Sequence, residues 1–378
     1  MKKTNLSSLF TLMLIATIAA VVACKKDDPK DDPTSPDNYD RAVMLTNMAN
    51  NYIVPAYSQY LSETETLNNA VDLFSTSPSV SGLNDLRDQW KLALLTWQDV
   101  AFLEFGPAES ISLRSQTNTY PTDTTIISDN ILSGSYDLQI PSNFVAKGFQ
   151  ALDFLLHKPG FTDTQLVDFY VNNSNARMYL VNVVAELKSN AQLVHGQWGS
   201  SYGGTFINNN SSNAQGSSVS NLLNALSLHY ETYVRKGKIG LPAGVFNGFS
   251  QIPLPDRVEA FYHGESLPFA IREMEAINKY LKGENYLTGS NGEGFDDYLI
   301  FVGAQSGGQA LFTATDNQIN AIVTDLGSLN DPLSNEVTTN VSGVATTYQS
   351  MQFLVPTIKV DMCAALGVLV TYQDSDGD

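Results

Sequence analysis

Gln150 and Asp153 are the two polar side chains of an otherwise apolar run, Gly148-Phe149-Gln150-Ala151-Leu152-Asp153-Phe154-Leu155-Leu156. Residues three apart share a helix face, so this amide and carboxylate project together while Phe149, Leu152, Leu155 and Leu156 pack elsewhere. An aspartate can ligate a cation, but a carboxamide oxygen beside it is a weak donor, so the pair suits hard cations before transition metals. Glu259, His263 and Ser266 form a second group at spacings of four and three. On a regular helix they too would share a face. The plainer alternative is a partly exposed Glu259–His263 pair worth roughly 0.2–0.5 kcal/mol.

Other reactive residues offer less. His157 follows the first run, where an imidazolium suits the negative helix end, and His195 and His229 stand alone. No His-Glu-x-x-His, Cys-x-x-Cys, Gly-x-Ser-x-Gly or Walker sequence occurs. Asp374-Ser375-Asp376-Gly377-Asp378 begins like a calcium loop and stops before the later ligands. Cys363, in an apolar stretch, reads as a buried, inert thiol.

Helical periodicity supplies the elements that position these residues. Leu83, Leu86, Trp90, Ala93, Trp97 and Val100 follow spacings of 3, 4, 3, 4, 3, and Ile319, Ile322, Leu326 and Leu329 follow 3, 4, 3. A longer helix is expected over Leu166–Leu193. Another is expected from Asp256 to Leu281, kinked or interrupted at Gly264 and Pro268, and a last one over Val344–Tyr372, kinked or divided at Pro356. Convincing period-two strands are absent. Residues 199–216 hold four Asn, four Ser and four Gly, which reads as a flexible connection; 110–125 and 283–294 also read as loops. The expectation is an all-α chain of two packed helical-bundle domains, 39–205 and 206–378.

The N-terminus reads as a targeting segment. Lys2 and Lys3 precede an apolar run from Leu9 to Val22 that ends Val21-Val22-Ala23-Cys24 and resembles a bacterial lipobox. This predicts a signal peptide over 1–23 and lipidation of Cys24, since the run is short for a bilayer span of about 20 residues. Residues 24–38, charged and rich in proline, read as a flexible tether. The Lys26-Asp27-Asp28 that follows the cysteine resembles a surface-export signal, so an outer-membrane lipoprotein exposed at the cell surface is expected, held by membrane lipid. An acylated Cys24 also leaves Cys363 without a disulfide partner.

The chain has 21 basic and 39 acidic residues; removal of 1–23 takes Lys2 and Lys3 and leaves 19 − 39 = −20. So acidic a chain does not bind nucleic acid by neutralising phosphates.

Several landmarks, in order, resemble the imelysin-like family. They are Tyr52-Ile53-Val54-Pro55, Trp90 and Trp97 leading to Glu104-Phe105-Gly106-Pro107, Tyr120-Pro121, the Gly148 run, and Val258-Glu259-Ala260-Phe261-Tyr262-His263. The family's Gly-x-His-x-x-Glu signature stands here as Gly148, Gln150 and Asp153. The resemblance covers residue 40 to the C-terminus. It implies a link to iron uptake, a site between two helical domains, and iron or another divalent metal as cofactor. Since His is replaced in the signature and gained at 263, the implied site gathers Gly148, Gln150, Asp153, Glu259, His263 and Ser266, with Asp153 and His263 as metal ligands. The expected function is a surface- or periplasm-facing, non-enzymatic ligand-binding lipoprotein working with iron-uptake components. The alternatives are a metallopeptidase, which the altered signature argues against, and an adhesion or scaffold protein with a vestigial site.

Overall fold

The computed structural model describes residues 34–372. The signal peptide, Cys24, the tether up to residue 33 and the acidic tail lie outside the described residues. The end of the tether is structured: Pro36–Asn38 forms a 3-10 turn, and the Pro36 carbonyl accepts hydrogen bonds from Arg41 (2.8 Å) and the Tyr298 hydroxyl (2.7 Å).

Among the described residues the chain is all-α apart from a two-residue antiparallel hairpin that pairs Gln305 with Ala310 and Ser306 with Gln309. The principal helices are α1 (Val54–Thr76), α2 (Val80–Gln98), α3 (Leu113–Thr117), α4 (Gly148–Leu156), α5 (Asp163–Asn172), α6 (Ser174–Gln197), α7 (Ser218–His229), α8 (Leu267–Leu281), α9 (Leu311–Gly327) and α10 (Val341–Pro356). Helix α7 runs on into an unusually long π-helix, Tyr230–Gly240. Helix α1 packs between α2 and α6, while α8 packs on α9 and α9 on α10. Helix α2 joins the two groups, touching α1 and α4 on one side and α8 on the other.

The seam expected on α2 lies in the core: each of its six residues is at most 1 % exposed. Ser79 starts this helix by accepting from the Gly82 amide at 3.1 Å, the role of an N-cap. The long helix expected over Leu166–Leu193 is two helices, because Asn173 leaves helical geometry and caps α6 through the Ala176 amide at 2.9 Å. The segment 199–216 is no flexible connection: Trp198–Asn208 stays helical, with Trp198 and Phe206 packed on Phe105. Asn213 in its second part is buried and bonds the Leu366 carbonyl and Tyr298. Pro356 ends α10, and the chain continues as the π-helix Thr357–Met362 and the turn Cys363–Ala365. Cys363 is buried, and burial pushes its thiol pKa up to about 11, as suits an inert thiol.

The largest departure lies at 256–281. Helix α8 starts only at Leu267, and residues 258–266 form an irregular loop. Pro268 therefore sits in the first turn, where its missing N–H costs nothing. Asp331 accepts from the Ser266 amide (3.0 Å) and the Leu267 amide, capping the helix from a distant segment.

Candidate functional site

Helix α4 begins at Gly148 because no other residue fits there. Its φ is +75°, and an added Cβ would lie 2.2 Å from the Thr117 carbonyl oxygen. From that start the helix aims Gln150 and Asp153 at the 258–266 loop. The Gln150 Oε1 accepts from the Ala260 amide at 2.8 Å, and its Nε2 donates to Asn118 Oδ1 at 2.8 Å. Asp153 accepts from the Tyr262 amide on one oxygen and the His263 amide on the other, both at 2.8 Å. Gln150 and Asp153 are 2 % and 1 % exposed, so these bonds stand in a desolvated setting. Ala260 is held at φ +54°, a strained value for alanine, by the same grip.

Glu259, His263 and Ser266 do not share a helix face, because the loop is not helical. The structure places the three differently, and only His263 bonds the signature pair. His263 meets Asp153 through its backbone, while its ring packs at 5.2 Å from Trp90 and 4.9 Å from His157. Burial and the neighbouring His157 lower its pKa, leaving a neutral imidazole at pH 7. Its Nε2 stands 3.7 Å from Glu265, whose carboxylate is paired with Lys91. His157 does not simply cap the helix; its Nδ1 lies 3.1 Å from Asp153 Oδ1. The Ser266 hydroxyl donates to the Glu259 carbonyl at 2.5 Å.

Glu259 turns away from the signature into a buried polar network that sequence reasoning missed. Its carboxylate accepts from Gln98 (3.1 Å) and Asn118 (2.7 Å) and forms an ion pair with Lys238. Lys238 also donates to Gln98 Oε1 at 2.9 Å and pairs with Glu273 at 3.1 Å. Glu273 meets His229 Nε2 at 2.5 Å. Burial opposes the charge on Lys238, but the two carboxylates outweigh it and raise its pKa. Burial likewise opposes ionisation of Glu273, yet Lys238 and His229 hold it down at about 2. Burial dominates at His229, whose pKa falls to about 4. The group is therefore a neutral imidazole with two carboxylates around one ammonium. Of its members only Glu259 was a candidate from the sequence, where His229 stood alone. The partners come from α2, the π-helix and α8, and no spacing rule relates them.

Three hollows adjoin these groups. One of about 130 Å³ is walled by Gln150, Asp153, Asp256 and Tyr262. A larger one of about 280 Å³ is walled by Arg114, Tyr233, Lys236 and Arg257. Tyr120 and Pro121 form a wall of both. A void of about 20 Å³, room for about one water, lies against Arg114, His229, Lys238 and Glu273.

These residues do not fit the metal that the signature resemblance implies. Both ends of the Gln150 amide and both Asp153 oxygens are already bonded. Among the described residues no three His, Cys, Asp or Glu side chains are grouped to hold an ion. A structural or catalytic transition-metal site needs at least three such ligands.

The comparisons agree with this architecture. The family model described as Imelysin (Peptidase M75) matches residues 53–353. The "putative iron-regulated protein A precursor" of Parabacteroides distasonis superposes with a TM-score of 0.68 at 18% identity, covering 86% of this chain and 95% of that one. An imelysin-like protein of Psychrobacter arcticum superposes with a TM-score of 0.59 at 16% identity, covering 88% of this chain and 97% of that one. No curated protein matches the sequence. At these identities the superpositions show a common fold, whereas the sequence match spans most of the chain: it belongs to the imelysin family.

Proposed function

We propose that this chain is a non-enzymatic, ligand-binding lipoprotein linked to iron uptake, held at the outer membrane by acylated Cys24, with its ligand site in the cleft between two helical domains. The observation that carries the reading is the use made of the signature residues. Gln150 and Asp153 spend their polar atoms on the amides of Ala260, Tyr262 and His263 and on Asn118, and so act as a clasp on the 258–266 loop. A metallopeptidase needs a firmly held ion with an open position for water and a general base beside it. An ion placed here would have to displace buried backbone hydrogen bonds, each costly to leave unmade. The link to iron is suggested by the name of the Parabacteroides structure.

Elemental analysis and calorimetry on the mature, tag-free protein test the site, with Asp153→Ala alongside. The expected result is no stoichiometric zinc or iron and no chelator-sensitive cleavage of casein. Stoichiometric metal that disappears in Asp153→Ala would overturn the clasp reading. The anchor has its own test: labelled palmitate should enter the wild-type chain and not Cys24→Ser. The iron link requires the chain's abundance in its host to rise on iron limitation, and a level that ignores iron would remove it.

A further inference from the structure

We propose that the void of about 20 Å³ behind Tyr120 is a binding site for one ordered water, which accepts hydrogen bonds from Arg114 and Tyr120 and donates to His229 and Glu273. All four residues line that space, and each has hydrogen-bonding capacity left over. Two of them are donors. Arg114 is 7 % exposed; one end of its guanidinium donates to the Ala101 carbonyl at 3.1 Å, while its Nε is buried without a partner. The Tyr120 hydroxyl has no hydrogen-bond partner among the described residues. Burial, and after it the nearby Glu259 and Glu273 carboxylates, raise its pKa well above the usual phenol range, so it keeps its proton to donate.

The other two are acceptors. His229 is 2 % exposed and gives its Nε2 to Glu273 Oε1 at 2.5 Å, which leaves Nδ1 buried and unpartnered. A neutral imidazole that donates through Nε2 presents a lone pair at Nδ1. Glu273 Oε2 meets Lys238 at 3.1 Å in an ion pair without hydrogen-bond geometry, and a carboxylate oxygen has room for a further donor. Buried polar atoms are rarely left unmade, and here donors and acceptors gather on one small space.

Charge and volume identify the occupant. A cation would face Arg114 and Lys238, and an anion would face Glu273; a neutral molecule that both donates and accepts meets neither repulsion. The space suits one water, and buried waters typically make about three hydrogen bonds to groups that otherwise go unpaired. The position also gives this water a role. Arg114, Asn118, Tyr120 and Tyr233 wall both the void and the hollow of about 280 Å³, and Tyr120 walls the hollow of about 130 Å³ as well. His229 and Glu273 belong to the junction around Lys238. The water therefore bonds the wall shared by the two hollows to the polar junction behind it, and it fixes His229 as the Nε2–H tautomer.

A high-resolution crystal structure of the mature chain tests this. The expected result is one fully occupied density peak about 2.7–3.2 Å from His229 Nδ1 and from Arg114 Nε or Tyr120 Oη. Well-ordered side chains with no peak between them would overturn the proposal, as would Arg114 Nε and His229 Nδ1 bonded directly to protein groups, or a peak with the anomalous signal of an ion. Long-range proton–nitrogen spectra give a solution readout: His229 should carry its proton on Nε2 and accept at Nδ1, and the opposite tautomer would contradict the site. His229→Phe, which removes an acceptor and fills the space, should lose the peak, and a peak left unmoved would show that other groups hold it. Tyr120→Phe should keep the peak with one bond fewer, so the assignment stays testable even where His229→Phe does not fold.

Discussion

Position 148 is where a single atom decides most. Any side chain there would put its Cβ 2.2 Å from the Thr117 carbonyl oxygen, far inside van der Waals contact, and must also adopt a positive φ, so Gly148→Ala should cost at least about 2 kcal/mol in urea unfolding. A loss below about half that would show that α3 can yield. His229 gives the second residue-scale prediction. Its folded pKa of about 4 lies below the ordinary 6.5, so the unfolded chain binds more protons between those values. Stability held above pH 6.5 is therefore lost as pH falls toward 4, by on the order of 2–3 kcal/mol. Glu104 and Asp296 act oppositely: burial raises them to about 6 and about 7, so their contribution falls as pH rises. The prediction is thus differential. Denaturant unfolding from pH 4 to 7 should show wild type gaining stability relative to His229→Gln, and parallel curves would rule out a buried neutral imidazole.

Among the elements, the inward face of α2 was legible, because its 3, 4, 3, 4, 3 seam depends on local spacing alone, although its last member, Val100, lies past the helix end at Gln98. The 258–266 loop was illegible for the converse reason. Its composition suits a helix, but Gly264 and Ala260 hold positive φ, and its amides are satisfied by Gln150 and Asp153 from a helix more than a hundred residues earlier. Propensity competes poorly with a partner of that kind. The clasp makes a prediction about this element. Asp153→Ala leaves the Tyr262 and His263 amides unpaired in a half-buried setting, which should cost about 2–4 kcal/mol. Hydrogen exchange should quicken first in the peptide covering 258–266, while α1 and α6 stay protected. Uniform acceleration across the chain would mean that Asp153 supports global packing instead. Asn173 shows the intermediate case: its capping side chain was in plain view, but only the structure shows that it divides one apolar period into α5 and α6.

Across the whole molecule, the two groups of helices meet on α2, and the meeting place is polar. Lys238 from the π-helix lies between Glu259 of the loop and Glu273 of α8, with Gln98 of α2 bonded to both Lys238 and Glu259. All-α character and the inward seams were readable from periodicity, yet this junction was not, since a lone lysine among 21 basic residues carries no local mark of burial. A buried ion pair is no stronger a fastening than apolar residues of equal volume, because charges taken from water recover their solvation cost only when every partner is present. That condition makes the network sensitive to losing one member. Lys238→Met removes the only ammonium from between two buried carboxylates, and unfolding should reveal a loss of about 3–5 kcal/mol. Adding Glu259→Gln removes one of the stranded charges, so the double variant should be less damaged than the sum of the singles by about 1–3 kcal/mol. Additive losses would mean that Lys238 and Glu259 act apart, and that the helix groups are joined by the other α2–α8 contacts, the Asp99–Arg272 ion pair among them. A coupling of the expected size would instead make this ion pair the point at which loop, π-helix and α8 are fixed together, behind the wall that Arg114 presents to the cavity.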